Sequence, residues 1–102
     1  MNQAQMMVQV KKMQAEMTKA QEELASTVVA GSAGGGAVGV EMTCDYRVTA
    51  VKLAKEAVDP EDPETLEDLL VVAMNDAVQK AQEASAKRMS SVTGGLRIPG
   101  LT

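Results

Sequence analysis

The sequence predicts one α+β domain in which a helix, a three-stranded antiparallel sheet and a second helix follow one another along 102 residues. Apolar residues recur three and four positions apart near both ends of the chain, a spacing typical of helices, and they alternate with polar residues in the middle, as in half-buried strands. The sequence contains no internal repeat and no linker that would separate two domains. We therefore assign residues 1–90 to a single domain and residues 91–102 to a flexible C-terminal tail.

The first helix is predicted from Met6 to Leu24. Its apolar positions follow the spacing of a coiled-coil seam, four, three, four, three and four residues apart; they are Met6, Val10, Met13, Met17, Ala20 and Leu24. The remaining faces carry Gln, Lys, Glu and Thr, so this helix offers one narrow stripe to a partner helix. We interpret the methionines as packing residues, because the flexible Met side chain adapts to irregular surfaces.

Three short segments predict strands, at Ser26–Ala30, Ala37–Cys44 and Arg47–Leu53. The first is short and β-branched, and the other two alternate apolar with polar residues, which gives each of them one apolar face. Asp45 and Tyr46 are predicted to form the tight connection between the last two strands.

A glycine-rich stretch from Gly31 to Gly36 separates the first two strands, and it suggests nucleotide binding because Gly34–Gly39 reads G-x-G-x-x-G. That fingerprint requires a helix directly after the glycines, with its N-terminal amides facing the pyrophosphate. The alternation that begins at Val38 predicts a strand there instead, and no Gly-Lys-Ser/Thr follows for a P-loop. We therefore expect no nucleotide cofactor and interpret the glycines as a strand connection that uses positive φ angles.

The last helix begins in an acidic stretch. Asp62 is suited to the N-cap and Pro63 to the first helical position, and the carboxylates that follow interact favourably with the positive end of the helix dipole. Apolar residues then mark one helical face; they are Leu66, Leu69, Leu70, Ala73, Met74, Ala77, Ala81 and Ala84.

This helix is predicted to run to about Met89, because the Ser, Thr and Gly residues from Ser90 to Gly95 are typical of a helix end. Within it, the polar pair Asn75 and Asp76 is its strongest polar signature. We interpret the pair as structural, with side chains that hydrogen-bond strand or loop backbone and fix the helix on the sheet.

Composition argues against several classes of function. The chain has no His and a single Cys, Cys44, so neither an intramolecular disulfide nor the common zinc sites can form, and the usual general base is missing. The acids at the start of the last helix lack the spacing of an EF-hand loop. We expect no enzyme activity, no catalytic or metal-binding residues and no small-molecule substrate.

The N-terminal residues lack the apolar core of a signal peptide, and no stretch reaches the ~18 apolar residues of a membrane span. We therefore expect a cytoplasmic protein without membrane insertion.

Tyr46 is the only aromatic residue, so the core must be built from small and slender side chains. Small domains with such cores often depend on oligomerisation for their stability.

Charge is segregated along the chain. The net charge is −4, but seven acidic residues lie between positions 56 and 68, and the other positions carry ten basic residues against seven acidic ones. The basic residues of the two helices are Lys11, Lys12, Lys19, Lys80, Lys87 and Arg88. By composition alone they form either solvated helix faces or contacts to nucleic acid. Because Tyr46 is the only residue able to stack on bases, contact with duplex phosphates is favoured over single-strand binding.

Two segments carry a resemblance to a known family. They read LEDLLVVAMNDA at residues 66–77 and MSSVTGGLRIPGL at residues 89–101. Together with the Met-, Gln- and Lys-rich first helix and the glycine turn, they resemble the YbaB/EbfC family of nucleoid-associated proteins over nearly the whole chain. The resemblance implies a homodimer whose helices project like tweezers from a central sheet. It also implies that this dimer binds double-stranded DNA in the nucleoid with little sequence preference and affects gene expression.

The resemblance also assigns roles to particular residues. The six basic residues would contact DNA phosphates; they are Lys11, Lys12, Lys19, Lys80, Lys87 and Arg88. The dimer interface would comprise Met6, Val10, Met13, Met17, Val38, Val40 and Met42. One alternative stays open at this point, an adaptor or chaperone-like dimer that holds other proteins with its Met-rich helix.

Overall fold

The structure, a computed structural model that describes residues 2–93, confirms the predicted α+β fold and the order of its elements. These elements are α1 (Gln3–Ser26), β1 (Val28–Ala33), β2 (Val38–Thr43), β3 (Val48–Leu53) and α2 (Pro63–Thr93). Short 3-10 turns at Gly34–Gly36 and Lys55–Ala57 follow β1 and β3. The three strands form one antiparallel sheet in the order β1-β2-β3, and α2 packs on one of its faces.

α1 begins at Gln3, three residues before its predicted start. Asn2 caps the helix: its Oδ1 accepts a hydrogen bond from the backbone N–H of Gln5 at 2.8 Å, and Gln5 Oε1 accepts one from the N–H of Asn2 at 3.3 Å. This reciprocal pair is a capping box, which satisfies amides that the first helical turn leaves without partners. At the other end, the hydroxyl of Thr27 donates to the carbonyl of Glu23 at 2.7 Å, and the chain then enters β1.

β1 differs from its prediction, which placed the strand at Ser26–Ala30. Ser26 is the last residue of α1, and the strand continues through Gly31 to Ala33 in register with β2. The sequence pattern did not indicate this part of the strand, because a strand is recognised by its β-branched and aromatic side chains and Gly31 has no side chain. The glycine connection is therefore confined to Gly34–Gly36, whose φ angles of 64°, 66° and 98° are the positive values expected there.

The core lies between α2 and the strands β1 and β2. Its buried residues are small or slender and come from both layers: Ala33, Val38, Val40, Met42, Ala73, Ala77 and Ala81. The close approach of the layers depends on Gly31, because a Cβ at this position would overlap the backbone of Ala73 and Ala77. Because the core side chains are small, the two layers pack with the backbone of α2 directly against β1.

Val38, Val40 and Met42 belong to this core. Their side chains are 0%, 0% and 3% exposed and lie in the cluster formed with α2 of the same chain. Their assignment to a dimer interface is therefore corrected, because α2 already covers them. An alternating pattern shows that a strand has an apolar face, but it does not show what covers that face.

α2 continues to Thr93, beyond its predicted end at about Met89. The hydroxyl of Thr93 donates to the carbonyl of Met89 at 3.2 Å, so a side chain expected to break the helix bonds to its backbone instead. The predicted break from Ser90 to Gly95 is wrong for residues 90–93. The rest of the predicted tail, residues 94–102, lies outside the described residues.

α2 is longer than the sheet and projects beyond it. It runs antiparallel to β1, since Asp76 bonds to Ser32 and, one turn later, Lys80 bonds to Ala30. Its 31 residues span about 46 Å, whereas a six-residue strand spans about 20 Å. The turns that follow Ala81, its last fully buried residue, therefore extend past the start of β1.

α1 projects from the same end of the sheet. Its buried residues, Ala20 and Leu24, lie in its last two turns, where Glu23 also pairs with Arg88 of α2. Its 24 residues span about 36 Å, and the molecule measures 70 × 25 × 16 Å along its principal axes, so most of α1 extends away from the sheet. We call α1 together with residues 82–93 of α2 the helical arm.

Candidate nucleic-acid interface

Three lysines lie on the side of α1 that faces away from its apolar seam. With about 100° of rotation per residue, Lys11, Lys12 and Lys19 fall within roughly 100° of one another, opposite the seam positions Val10 and Met17. All three are exposed, and none forms an ion pair with another of residues 2–93. Their ammonium groups are therefore available to an external anion.

Lys87 places a fourth exposed lysine on the α2 side of the helical arm. It lines a groove of about 330 Å³ between the two helices, together with Leu24, Thr27 and Ala84. Like the lysines of α1, it has no ion-pair partner in the described part of the chain. Exposed lysines without an ion-pair partner among the described residues therefore lie on both helices of the arm.

Arg88, next to Lys87 in the sequence, is held inside the arm. Its Nε donates to Glu23 Oε2 at 2.7 Å, and its Nη1 donates to Ser91 Oγ at 2.8 Å. The hydrogen bond from Arg88 lowers the pKa of Glu23, and the bond to Glu23 raises the pKa of Arg88, so both groups remain charged in the ordinary pH range. Arg88 thus joins α1 to α2, and its charge is already paired.

Lys80 is also paired, at the outer edge of the sheet. Its Nζ donates to the carbonyl of Ala30 at 3.0 Å and to Asp76 Oδ2 at 3.3 Å, while Asp76 Oδ2 accepts the N–H of Ser32 at 3.0 Å. The Ser32 N–H, followed by Lys80, lowers the pKa of Asp76. Two side chains of α2 thereby occupy backbone groups that β1 would otherwise leave open as an edge strand.

The structural role predicted for Asp76 is confirmed by this bond to strand backbone. Asn75 is exposed, and its side chain makes no hydrogen bond to another residue between positions 2 and 93. Among the six predicted DNA-contacting residues, the structure therefore leaves the four on the arm surface unpaired and engages Lys80 and Arg88 in structural bonds.

Most of the predicted seam of α1 has no partner among the described residues. Ala20 and Leu24 are buried where α1 meets α2, whereas Met6, Val10 and Met17 are 54%, 51% and 38% exposed. Met13, which lies between them on the same stripe, is partly buried. α2 is thus the expected partner helix for the last two seam positions, and the outer four project beyond it.

An apolar surface that the sequence analysis missed lies on β3. The register pairs Leu53 with Val38, Val51 with Val40 and, across an irregularity between Glu41 and Met42, Val48 with Met42, so these β3 side chains share the face of the sheet that carries the core. α2 covers β1 and β2 but not β3, and Val48, Val51 and Leu53 are 44%, 47% and 42% exposed. We call Val48, Val51 and Leu53 the β3 face. The alternation of the strand indicated an apolar face but not that it would stay uncovered.

The described residues offer little to other kinds of site. No group of three His, Cys, Asp or Glu side chains among residues 2–93 could hold a metal ion. Cys44 is buried, and its burial, with a smaller contribution from Asp45, raises the pKa of its thiol and so disfavours the reactive thiolate. Neither α1 nor α2 has an apolar segment long enough to cross a bilayer.

The fold and this surface define a class of protein: a small α+β domain that carries unpaired lysines on a projecting helical arm and, apart from them, an open apolar edge of the sheet. Sequence comparison identifies the family. Residues 1–96 match the YbaB/EbfC DNA-binding family, and the chain belongs to it. The resemblance carried by the last helix and the residues that follow it is thereby confirmed.

Several relatives align over nearly their whole length. A nucleoid-associated protein of Chloroflexus aurantiacus is 50% identical over 97 residues, which cover 95% of this chain and 97% of the relative. Another from Syntrophobacter fumaroxidans is 50% identical over 95 residues, or 93% of this chain and 86% of the relative. The fold is shared with an uncharacterized protein of Helicobacter pylori, whose crystal structure matches with a TM-score of 0.75 at 22% identity and covers 95% of this chain and 99% of that one.

Proposed function

We propose that this protein binds duplex DNA with little sequence specificity and contributes to nucleoid organisation in the cytoplasm, with effects on gene expression. The observation that supports the proposal is the set of exposed lysines without intrachain partners on the helical arm; they are Lys11, Lys12, Lys19 and Lys87. Lysine binds phosphate as a point charge and, in that role, reads no base sequence. The family match and the names of the relatives support the same function.

The separation of charge along the molecule reconciles DNA binding with a net charge of −4. The acidic stretch lies around the start of α2, whereas Lys87 lies near its end. From Glu64 to Lys87 the helix rises about 35 Å, several times the Debye length of about 8 Å at physiological salt. The acids therefore repel phosphates at the arm only weakly.

Lys80 and Arg88 have supporting roles in this proposal. Each would have to give up an intrachain carboxylate partner in order to bind a phosphate, Asp76 for Lys80 and Glu23 for Arg88. We therefore assign Arg88 to holding the arm together and Lys80 to covering the edge of β1.

We propose further that the protein is a homodimer formed through the β3 face. Its three residues make an apolar patch at the edge of the sheet, where a soluble protein commonly meets a partner. At the opposite edge, Asp76 and Lys80 already bond to β1 backbone, so β3 is the strand with the more open edge. A two-fold axis at β3 would give the dimer two helical arms and double its number of phosphate contacts.

The role is one of binding, not catalysis. The chain has no His, and its one thiol is buried with a raised pKa.

The uncovered seam supports a second candidate, an adaptor or chaperone-like dimer that holds apolar segments of other proteins against Met6, Val10 and Met17. The two candidates differ in their response to salt, since phosphate contacts weaken steeply as salt rises and apolar contacts do not.

A salt titration on a random-sequence duplex tests the proposal. For the parent protein we expect the logarithm of affinity to fall linearly with the logarithm of salt concentration. The Lys11→Ala/Lys12→Ala variant removes four contacts from a dimer and should make this negative slope shallower by about 3.6, at roughly 0.9 per contact. The control is Lys52→Ala/Lys55→Ala, which removes the same charge from β3 and the turn after it.

The control variant should keep the slope of the parent, because Lys52 is paired with Glu41 and both substituted residues lie outside the arm. Equal losses in the two variants would show that net charge matters and the arm does not. If the intact dimer fails to bind duplex even at low salt, the DNA proposal is wrong and the adaptor becomes the leading candidate.

A further inference from the structure

The uncovered part of the α1 seam is self-complementary. Met6, Val10, Met13 and Met17 are spaced four, three and four residues apart, and the spacing is the same in the reverse direction. In an antiparallel pair of α1 helices, Met6 of one chain therefore meets Met17 of the other, and Val10 meets Met13. Two-fold symmetry repeats both contacts, so one register places all the seam side chains in a single interface.

The residues that flank the seam permit this register. In an antiparallel pair, Gln9 lies opposite Glu16 of the other chain, and Met7 lies opposite Gln14. No two like charges face each other across the seam. The three lysines of α1 lie on the far side of the helix, so pairing of the seams neither buries nor crowds them.

We propose that α1 is a second self-association surface, at which the seams of two chains pair antiparallel and link one homodimer to another. A second copy of this chain is the occupant that matches both the spacing of the seam and its flanks, which bring no two like charges together. The lysines remain exposed in the linked form, so two dimers joined in this way hold two duplex segments together. The inference rests on the proposed homodimer only for the number of chains in the linked form. The pairing of two α1 seams requires no DNA.

The length of the seam sets the strength of this association. From Met6 to Met17 the paired helix spans about 17 Å, or three turns, and isolated helix pairs of this length are weak. We therefore expect linked dimers at high protein concentration, and at lower concentration when many chains lie on one DNA, which raises their effective concentration.

Cross-linking tests the register directly. Val10→Cys chains and Met13→Cys chains, carrying tags of different size, are mixed and treated with a short bismaleimide. The antiparallel register predicts that the mixed product exceeds either product of like chains. Cys44 is 2% exposed, so the parent protein should not react, and Val8→Cys, at a 66% exposed position off the seam, is the matched control and should give no specific product.

A second measurement separates links between dimers from contacts within one. Val10→Gln/Met13→Gln should abolish the species larger than a dimer in sedimentation, while the Val8→Gln control retains it. Because all four arm lysines are intact, the seam variant should still bind a single duplex and lose only the ability to capture a second one. Failure of the parent protein to bind duplex even at low salt, with seam cross-linking preserved, would refute the DNA proposal alone.

Two results would overturn the inference. One is the wrong pattern of cross-links. A mixed product no more abundant than that of Val8→Cys would indicate no pairing, and products of like chains that exceed the mixed product would indicate a parallel arrangement. The other is a faster maleimide reaction of Met13→Cys in dilute protein once residues 94–102 are removed, which would show that the chain's own C-terminal segment covers the seam.

Discussion

At the scale of single residues, bonding partners separate groups that the sequence presents as equivalent. Lys87 and Arg88 are adjacent cations on one turn of α2, yet the first faces solvent and the second is bonded to Glu23. Gly31 differs in the same way from Gly39 of the neighbouring strand. A Cβ on Gly31 would meet helix backbone, whereas a Cβ on Gly39 would have no neighbour nearer than 3.9 Å.

Gly31→Ala should therefore destabilise the protein. The added methyl group forces α2 away from β1, an overpacking that costs about 1–3 kcal/mol. Gly39→Ala is the matched control, because it also replaces a strand glycine, and we expect it to change stability by less than about 0.5 kcal/mol. Urea unfolding followed by circular dichroism, at one fixed protein concentration, measures both. Equal effects of the two substitutions would contradict the close approach at Gly31.

Asp76 should make stability depend on pH. Its pKa in the folded protein is lowered, chiefly by the Ser32 N–H and then by Lys80. The stabilisation is therefore complete above the ordinary Asp pKa, about 3.9, and is lost as the pH falls through the lower folded value. We expect Asp76→Asn to lose stability less steeply over this acidic range than the parent protein. Thermal unfolding at several pH values tests this, with Asp68→Asn on the same helix as the control for removing one carboxylate.

At the scale of elements, the helical arm is two helices joined near the sheet and free beyond it. Ala20 and Leu24 supply the apolar contact of α1, and the Glu23–Arg88 pair supplies the polar one. Four outer seam positions of α1 lie past this junction. The arm is therefore anchored at its base and presents its lysines along its length, an arrangement that suits the proposed contact with a duplex.

Lys87→Ala and Arg88→Ala should have different consequences, although each substitution removes one of two neighbouring cations. Arg88→Ala removes the bond to Glu23, so the amide hydrogens in the last turns of α1 should exchange faster. Lys87→Ala should leave this exchange unchanged and reduce the salt dependence of DNA binding. Hydrogen exchange by mass spectrometry and the salt titration give the two readouts. If both variants weaken DNA binding without a change in exchange, Arg88 acts as a phosphate contact.

At the scale of the whole molecule, three surfaces lie apart from one another. The acidic stretch is at the start of α2, the lysines are on the arm at its other end, and the β3 face is at one edge of the sheet. Pairing at the β3 face would leave both arms free, because the arm extends from one end of the strands and not from that edge. In the proposed function, this separation lets dimerisation and DNA binding proceed without competing for the same residues.

Val51→Lys should convert the proposed homodimer to a monomer. Two lysines brought together in an apolar interface would repel one another and lose hydration. Val72→Lys is the matched control, since Val72 is 55% exposed and lies on the side of α2 turned away from the core. Analytical ultracentrifugation should report a single chain of 10.7 kDa for the first variant and a dimer for the second. A dimeric Val51→Lys protein would place the two-fold interface elsewhere.

The sequence by itself determined the features that depend on local pattern. Periodicity predicted two helices and three antiparallel strands, and the motifs in α2 and the residues after it identified the family. The role of Asp76 in bonding to strand backbone followed from the polar pair Asn75 and Asp76 in the middle of the last helix. These predictions hold because helix and strand periods are set by neighbouring residues, whatever the rest of the chain does.

Only the tertiary structure decided which surfaces are covered and which charges are paired. Arg88 pairs with Glu23, 65 residues away in the sequence, and no local pattern contains that partner. Lys80 and Asp76 are neighbours on α2, but the β1 backbone groups to which they bond are 50 and 44 residues away. The same holds for the apolar faces: β2 and β3 alternate alike, but α2 crosses β2 and stops short of β3. The physical reason is that burial and pairing depend on the path of the chain in space, whereas periodicity records only the side to which each residue points.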